Sequence, residues 1–182
     1  MQFEFLRTVV ALLDEAEIPH MLAGSMASSF HGEPRMTRDV DMVIDPTLES
    51  IGRFVAALDR SRYYVDDAVE AVRRRDMCNV IDIETGWKVD LIVRKDRPFS
   101  REEFGRRQLA VVGGVRLFIA TAEDTVLAKL EWRSRSDSER QFRDVVAVLS
   151  LQDLDAAYLR RWATELGVTQ SLDDALLAAG KA

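Results

Sequence analysis

Cysteine, histidine, proline and long apolar runs are all scarce in this chain of 182 residues. There is one cysteine, Cys78, and there are two histidines, His20 and His31. A lone thiol cannot close an internal disulfide, and one Cys with two His is too small a set for a structural zinc site. Four prolines and nine glycines form no biased stretch, which excludes collagen-like and low-complexity architectures. No repeat period suggests a solenoid or a long coiled coil. No segment approaches the roughly 20 apolar residues of a membrane-spanning helix. The start, Met1-Gln2-Phe3-Glu4-Phe5, lacks the basic residues and cleavage site of a secretory signal. These absences lead us to expect a soluble cytoplasmic protein with no membrane partner.

Positive charge is in deficit as well. Lys plus Arg number 25 against 31 for Asp plus Glu, a net charge of -6, with a pI near 5.1. A chain that grips duplex phosphates broadly needs a basic surface excess, which this one does not have. Its arginines do cluster locally, at Arg73 to Arg75, Arg94 to Arg97, Arg106-Arg107 and Arg133 to Arg135. Such clusters read either as solvated faces or as the frame of a local anion site.

What is abundant is apolar content, 47% of residues, ample for one ordinary domain with a real core. Leu6, Val9, Val10 and Leu13 predict an amphipathic helix over 3–16. Residues 18–23 read as a short strand, broken by Gly24-Ser25, after which 25–30 suit a turn or two of helix. Residues 32–38 should be a loop, and Asp39 to Ile44 alternates with period two, a second strand ended by Pro46. A helix through Leu48, Ile51, Val55 and Leu58 and a shorter one over 66–75 follow. Two hairpins are expected: 79–84 with 88–93 around Thr85-Gly86-Trp87, and 108–112 with 115–120 around Gly113-Gly114. Thr121-Ala122-Glu123-Asp124 resembles a capping box opening a helix to about 133. Phe142 to Leu149 and Leu159 to Leu166 mark two further helices. The expectation is an α/β (α+β) chain: a small mixed sheet flanked by helices over 1–120, then a helical region over 121–182 packed on that core.

Chemistry concentrates at three places. Gly24-Ser25, at a strand-to-helix turn, lets backbone approach an anion and offers a hydroxyl and a helix N-terminus; it also fits a plain turn with an N-cap. In Asp39-Val40-Asp41 strand alternation sends both carboxylates to one face, where like charges repel unless a divalent cation bridges them. Asp-x-Asp occurs twice here, and the other pair, Asp153/Asp155, suits a helix cap. Asp90, inside the apolar run Lys88 to Val93, either faces solvent or has a purpose. Asp82 poses the same question, with solvent the favoured answer.

Taken together, Gly24-Ser25, thirteen residues, Asp39-x-Asp41 and a later Asp90 in an apolar strand resemble the polymerase-β-type nucleotidyltransferase superfamily. The run Arg35-Met36-Thr37-Arg38-Asp39-Val40-Asp41 is similar to the Arg-x-Thr-x-Asp-x-Asp of its minimal and AbiEii-like bacterial branches. The resemblance spans about residues 6–150, most specifically 22–44 and 88–93. It implies a nucleotidyltransferase fold and transfer of a nucleoside monophosphate from an NTP, ATP included, to a hydroxyl acceptor. The acceptor would be a tRNA 3′ end, a protein side chain or a small molecule. Gly24 and Ser25, with Arg38 and Lys129, would bind nucleotide. Asp39, Asp41 and Asp90 would be catalytic and would hold two Mg²⁺ ions, for which Mn²⁺ can substitute. Lys129 and Asp144 are similar to later Lys and Asp motifs of AbiEii-like enzymes. They also read as an exposed helix charge and as a pair with Arg140. Arg35 suits either phosphate or a counter-charge role. A toxin–antitoxin component with a cognate partner, or an inactive nucleotide- or partner-binding module of the same fold, are the alternative readings. His20 and His31 have no partner at a catalytic spacing, Cys78 should pack in its strand, Trp132 and Trp162 should be core or interface, and Trp87 part-buried.

Overall fold

A computed structural model describes residues 2–37, 39–136 and 138–181. In chain order its elements are α1 (Gln2–Glu15), β1 (His20–Leu22), α2 (Gly24–His31), β2 (Asp39–Ile44), α3 (Leu48–Ala57), β3 (Tyr63–Val65), α4 (Ala68–Arg74), β4 (Met77–Asp82), β5 (Lys88–Val93), α5 (Pro98–Arg106), β6 (Gln108–Val112), β7 (Val115–Ile119), α6 (Ala122–Ser136), α7 (Glu139–Leu151), α8 (Ala156–Leu166) and α9 (Thr169–Ala178). They form two compact units.

The sheet unit comprises residues 1–23 and 37–119. Its seven strands run in the order β3-β4-β5-β2-β1-β7-β6. β2 is parallel to β5 and β1 to β7, while the other neighbours are antiparallel, so the α/β sheet is mixed as expected. Register follows from hydrophobic alternation. Val40, Met42 and Ile44 of β2 lie opposite Val89, Leu91 and Val93 of β5, and all six are buried. A one-residue slip would turn these to the polar face, forfeiting on the order of 10 kcal/mol. Leu6, Val9, Val10 and Leu13 of α1 are buried as their spacing predicts, and Phe5 stacks on Tyr63. The β6–β7 turn is Gly113-Gly114 with both φ positive. That conformation suits tight two-residue hairpins and favours glycine.

The helical unit comprises residues 24–36 and 120–182. Its core collects Met26 and Ala27 of α2, Val126, Leu127 and Leu130 of α6, Val145, Val148 and Leu149 of α7, Leu159 and Trp162 of α8, and Leu172 of α9. The Thr121 hydroxyl accepts the Asp124 N–H at 3.2 Å, the anticipated start signal of α6, and Asp155 caps α8. Gly32 marks a close approach: a Cβ there would lie 3.0 Å from both Ser28 O and Val148 N.

Three elements have no counterpart in the sequence reading. β3 is only three residues long, α5 starts on a proline and buries few apolar side chains, and α9 is short and weakly patterned. Trp132, expected in a core or interface, is 60% exposed and so is not core: α6 turns its buried face through Val126, Leu127 and Leu130 instead. Asp82, expected in solvent, is buried. Its Oδ1 accepts the N–H groups of Glu84 and Thr85 at 3.0 and 3.2 Å, closing the β4–β5 turn.

Candidate active site

The sheet unit brings Asp39, Asp41 and Asp90 onto one face. Parallel pairing sets Asp41 opposite Asp90 and Asp39 opposite Lys88, and register partners share a face. Burial rises across the set: the Asp39 side chain is 58% exposed and that of Asp90 only 10%. Lys88 Nζ donates to Asp90 Oδ2 at 2.9 Å and lies 3.8 Å from Asp39 Oδ1. The hydrogen bond to Asp90, reinforced by the charges of Asp90, Asp39 and Asp41, outweighs burial and raises the Lys88 pKa. Asp90 Oδ1, in contrast, is buried with no hydrogen-bond partner.

The polar face extends beyond Asp90. Asn79 of β4 is its antiparallel register partner, and Asn79 Nδ2 donates to Asp66 Oδ2 at 2.9 Å. Next along β4, Cys78 packs in its strand as expected. Burial first, then the charges of Asp66 and Asp90, push its thiol up to about 12, so it is inert as a nucleophile.

A donor set of carboxylate oxygens suits a hard divalent cation, and the orphaned Asp90 Oδ1 is a buried acceptor in need of one. On donor chemistry these residues fit Mg²⁺. Among the described residues no group of three or more His, Cys, Asp or Glu side chains is already arranged to hold a metal ion. Asp39 points to solvent and Lys88 engages Asp90 Oδ2.

The helical unit holds the second group. Gly24 opens α2 at φ +58°. Ser25 Oγ accepts Arg35 Nη2 at 2.7 Å. Arg35 grips Asp144 bidentately, Nε to Oδ1 and Nη2 to Oδ2, both at 2.8 Å. Lys129 Nζ donates to Asp144 Oδ2 at 2.9 Å and to Gln141 Oε1 at 2.7 Å. Burial pushes the Asp144 carboxyl up, but hydrogen bonds and charge from Arg35 and Lys129 outweigh it and hold it below the usual range. The structure therefore corrects two expectations: Lys129 is buried, not an exposed helix charge, and Asp144 pairs with Arg35 and Lys129 rather than with Arg140.

The expected residues thus fall into two groups, Asp39, Asp41 and Asp90 in the sheet unit and Gly24, Ser25 and Lys129 in the helical unit. Arg38 lies outside the described residues. His20 and His31 are buried, with ring nitrogens on the carbonyls of Ile18 and Ala120. Sequence reasoning missed Lys88, Asn79 and Gln141. Lys88 had a readable signal, since Lys88-Val89-Asp90 alternates onto one face. The other two depend on pairings between elements.

No protein-family profile and no curated protein sequence matches the chain. Solved structures do match its fold. An antigenic nucleotidyltransferase-like protein from Paracoccidioides brasiliensis aligns over 97% of this chain and 93% of its own, with TM-score 0.62 at 17% identity. The antibiotic-resistance factor ANT(2'')-Ia aligns over 96% and 97%, with TM-score 0.63 at 12% identity. The lincosamide antibiotic adenylyltransferase LnuA, solved with lincomycin bound, aligns over 81% and 96%, with TM-score 0.56 at 12% identity. At these identities the likeness establishes the fold: the chain has the mixed α/β architecture of nucleotidyltransferase-like proteins.

Proposed function

We propose that the protein transfers a nucleoside monophosphate from an NTP to a hydroxyl acceptor in a Mg²⁺-dependent reaction. The observation that carries this reading is the pairing of Asp41 with Asp90 on parallel neighbouring strands, with Asp39 on the same face, in a fold shared with nucleotidyltransferase-like proteins. Asp39 and Asp41 would hold Mg²⁺ with Asp90, and Mn²⁺ would serve in its place. Bound there, the ions would supply charge neutralisation for the phosphates and activation of the acceptor hydroxyl. Asp90, the most buried acid of the three, would complete the metal site and help deprotonate the acceptor hydroxyl. Gly24 and Ser25 would bind phosphate through backbone and hydroxyl, and Lys129 and Arg35, which meet at Asp144, would supply positive charge.

The neighbours' names favour a small-molecule acceptor, since two of them are an antibiotic-resistance factor and an antibiotic adenylyltransferase. The net charge of -6 also weighs against an extended RNA acceptor. The AbiEii-like motif run keeps a tRNA 3′ end, a protein side chain and a toxin–antitoxin role as acceptor and pathway candidates. A label-transfer assay with each class discriminates them.

The test is thermal unfolding of the full chain with each NTP, with and without Mg²⁺. Saturating nucleotide, at 100-fold its dissociation constant, should add about 2.7 kcal/mol, or roughly 2–4 °C. Asp39→Asn and Asp41→Asn should lose the Mg²⁺-dependent part and abolish transfer while staying folded, because removing one of several like charges relieves repulsion. Full activity in Asp41→Asn would refute the metal assignment. Nucleotide binding without transfer to any acceptor would favour a non-catalytic nucleotide-binding module.

A further inference from the structure

The acid face carries a cation of its own. Lys88 precedes Asp90 by two residues on β5, so both side chains stand on one face, and pairing with β2 sets Lys88 opposite Asp39. Its single ammonium lies 2.9 Å from Asp90 Oδ2 and 3.8 Å from Asp39 Oδ1. It therefore spans the two acids that would have to share a metal. We propose that Lys88 is a tethered stand-in for the divalent cation: it offsets repulsion among the acids while the metal is absent and must release Asp90 before the metal binds. The inference rests on the metal-dependent reading above.

Three features support it. An ammonium can only donate, so at Asp90 Oδ2 it competes directly with a cation for the same lone pairs. Asp90 Oδ1 is buried and unpartnered, so the ammonium satisfies only half of the carboxylate and holds it less firmly than a cation engaging both oxygens would. The Lys88 side chain is 31% exposed whereas that of Asp90 is 10% exposed. The lysine is thus the partner able to swing into water on its flexible stem, and the acid stays put. The contact with Asp39, an exposed group at longer range, is screened and gives way first. The consequence is that metal alone binds weakly, and that nucleotide phosphates, by offering Lys88 another anion, favour loading of metal and nucleotide together.

The experiment uses the full chain and Mn²⁺ alone, with free Mn²⁺ read by electron paramagnetic resonance. Lys88→Met should bind Mn²⁺ at least about tenfold more tightly than the unmodified protein, about 1.4 kcal/mol, and Lys88→Arg should remain near it. In chelator, Lys88→Met should melt at a lower temperature than the unmodified protein and regain more on adding Mn²⁺. With a non-hydrolysable NTP present the difference in Mn²⁺ affinity should shrink. Lys88→Gln, which keeps a polar tip, provides the same comparison in a second background. If the unmodified protein binds Mn²⁺, Asp41→Asn weakens it, and neither Lys88→Met nor Lys88→Gln binds more tightly, the stand-in role is overturned while the metal site survives. If no variant binds Mn²⁺ with or without nucleotide, the metal-dependent reading falls and this inference falls with it.

Discussion

Lys129 is 4% exposed, and an ammonium that far from water persists only when its charge and its donors are both met. Asp144 supplies the charge and Gln141 a second acceptor. Asp144→Ala would remove the carboxylate that Lys129 and Arg35 share, so we expect a loss of about 3–5 kcal/mol in chemical denaturation. The same carboxylate sets a pH dependence. Its folded pKa is depressed below the unfolded value, so its contribution is fully present above about pH 4 and is lost as pH falls through the lower folded value. Asp144→Asn should therefore lower stability at neutral pH and flatten the acid limb of a stability profile measured between about pH 5 and 2. The sequence marked Lys129 and Asp144 as candidates through their motif spacing, but not as each other's partners. That pairing depends on α6 and α7 lying side by side, which no local pattern encodes.

Hairpins and registers were largely legible at the scale of elements, because alternation and turn glycines are local signals. Both expected hairpins formed, and the strands holding Asp39, Asp41 and Asp90 occupy their expected places. What the pattern misjudged was Asp82, whose charge suggests solvent but whose carboxylate instead closes the β4–β5 turn. Asp82→Ala should cost about 1–2 kcal/mol. Asp82→Asn, which keeps an acceptor, should cost less, as urea unfolding would show. The Arg62 contact, at 3.4 Å from a half-exposed guanidinium, adds little. The β6–β7 turn is stricter. Gly113 has φ +56°, and a Cβ there would fall 2.1 Å from the Phe3 ring. Gly113→Ala should lower stability by roughly 1–3 kcal/mol through strain and displacement of Phe3, read as a fall in Tm.

Over the whole molecule the dominant facts are charge and division into units. With a net charge of -6 and several arginines tied to nearby acids, as at Arg74–Glu70 and Arg101–Asp96, no broad polyanion surface is expected. The protein should pass unretained through heparin at about 0.15 M salt, and its NTP-induced stabilisation should persist there. No helix among the described residues is long and apolar enough to cross a membrane. Residues 24–36, which follow β1 directly, group with the C-terminal helices rather than with the sheet. Order along the chain does not announce this, since a segment joins whichever core its buried side chains complete. Met26 and Ala27 are buried within the helical unit.

Read alone, the sequence determined the α/β class, the hairpins, the strand carrying Asp39 and Asp41, and the apolar strand carrying Asp90. All of these rest on periodicity, turn chemistry and local caps, which act within a few residues. The tertiary structure alone decided that Asp41 faces Asp90 across parallel strands, that Lys88 sits among the acids, and that Asp144 joins Arg35 to Lys129. Those contacts link residues far apart in the chain. They form because burying the apolar faces of whole elements sets register and helix packing, and the polar side chains take the partners this packing leaves within reach.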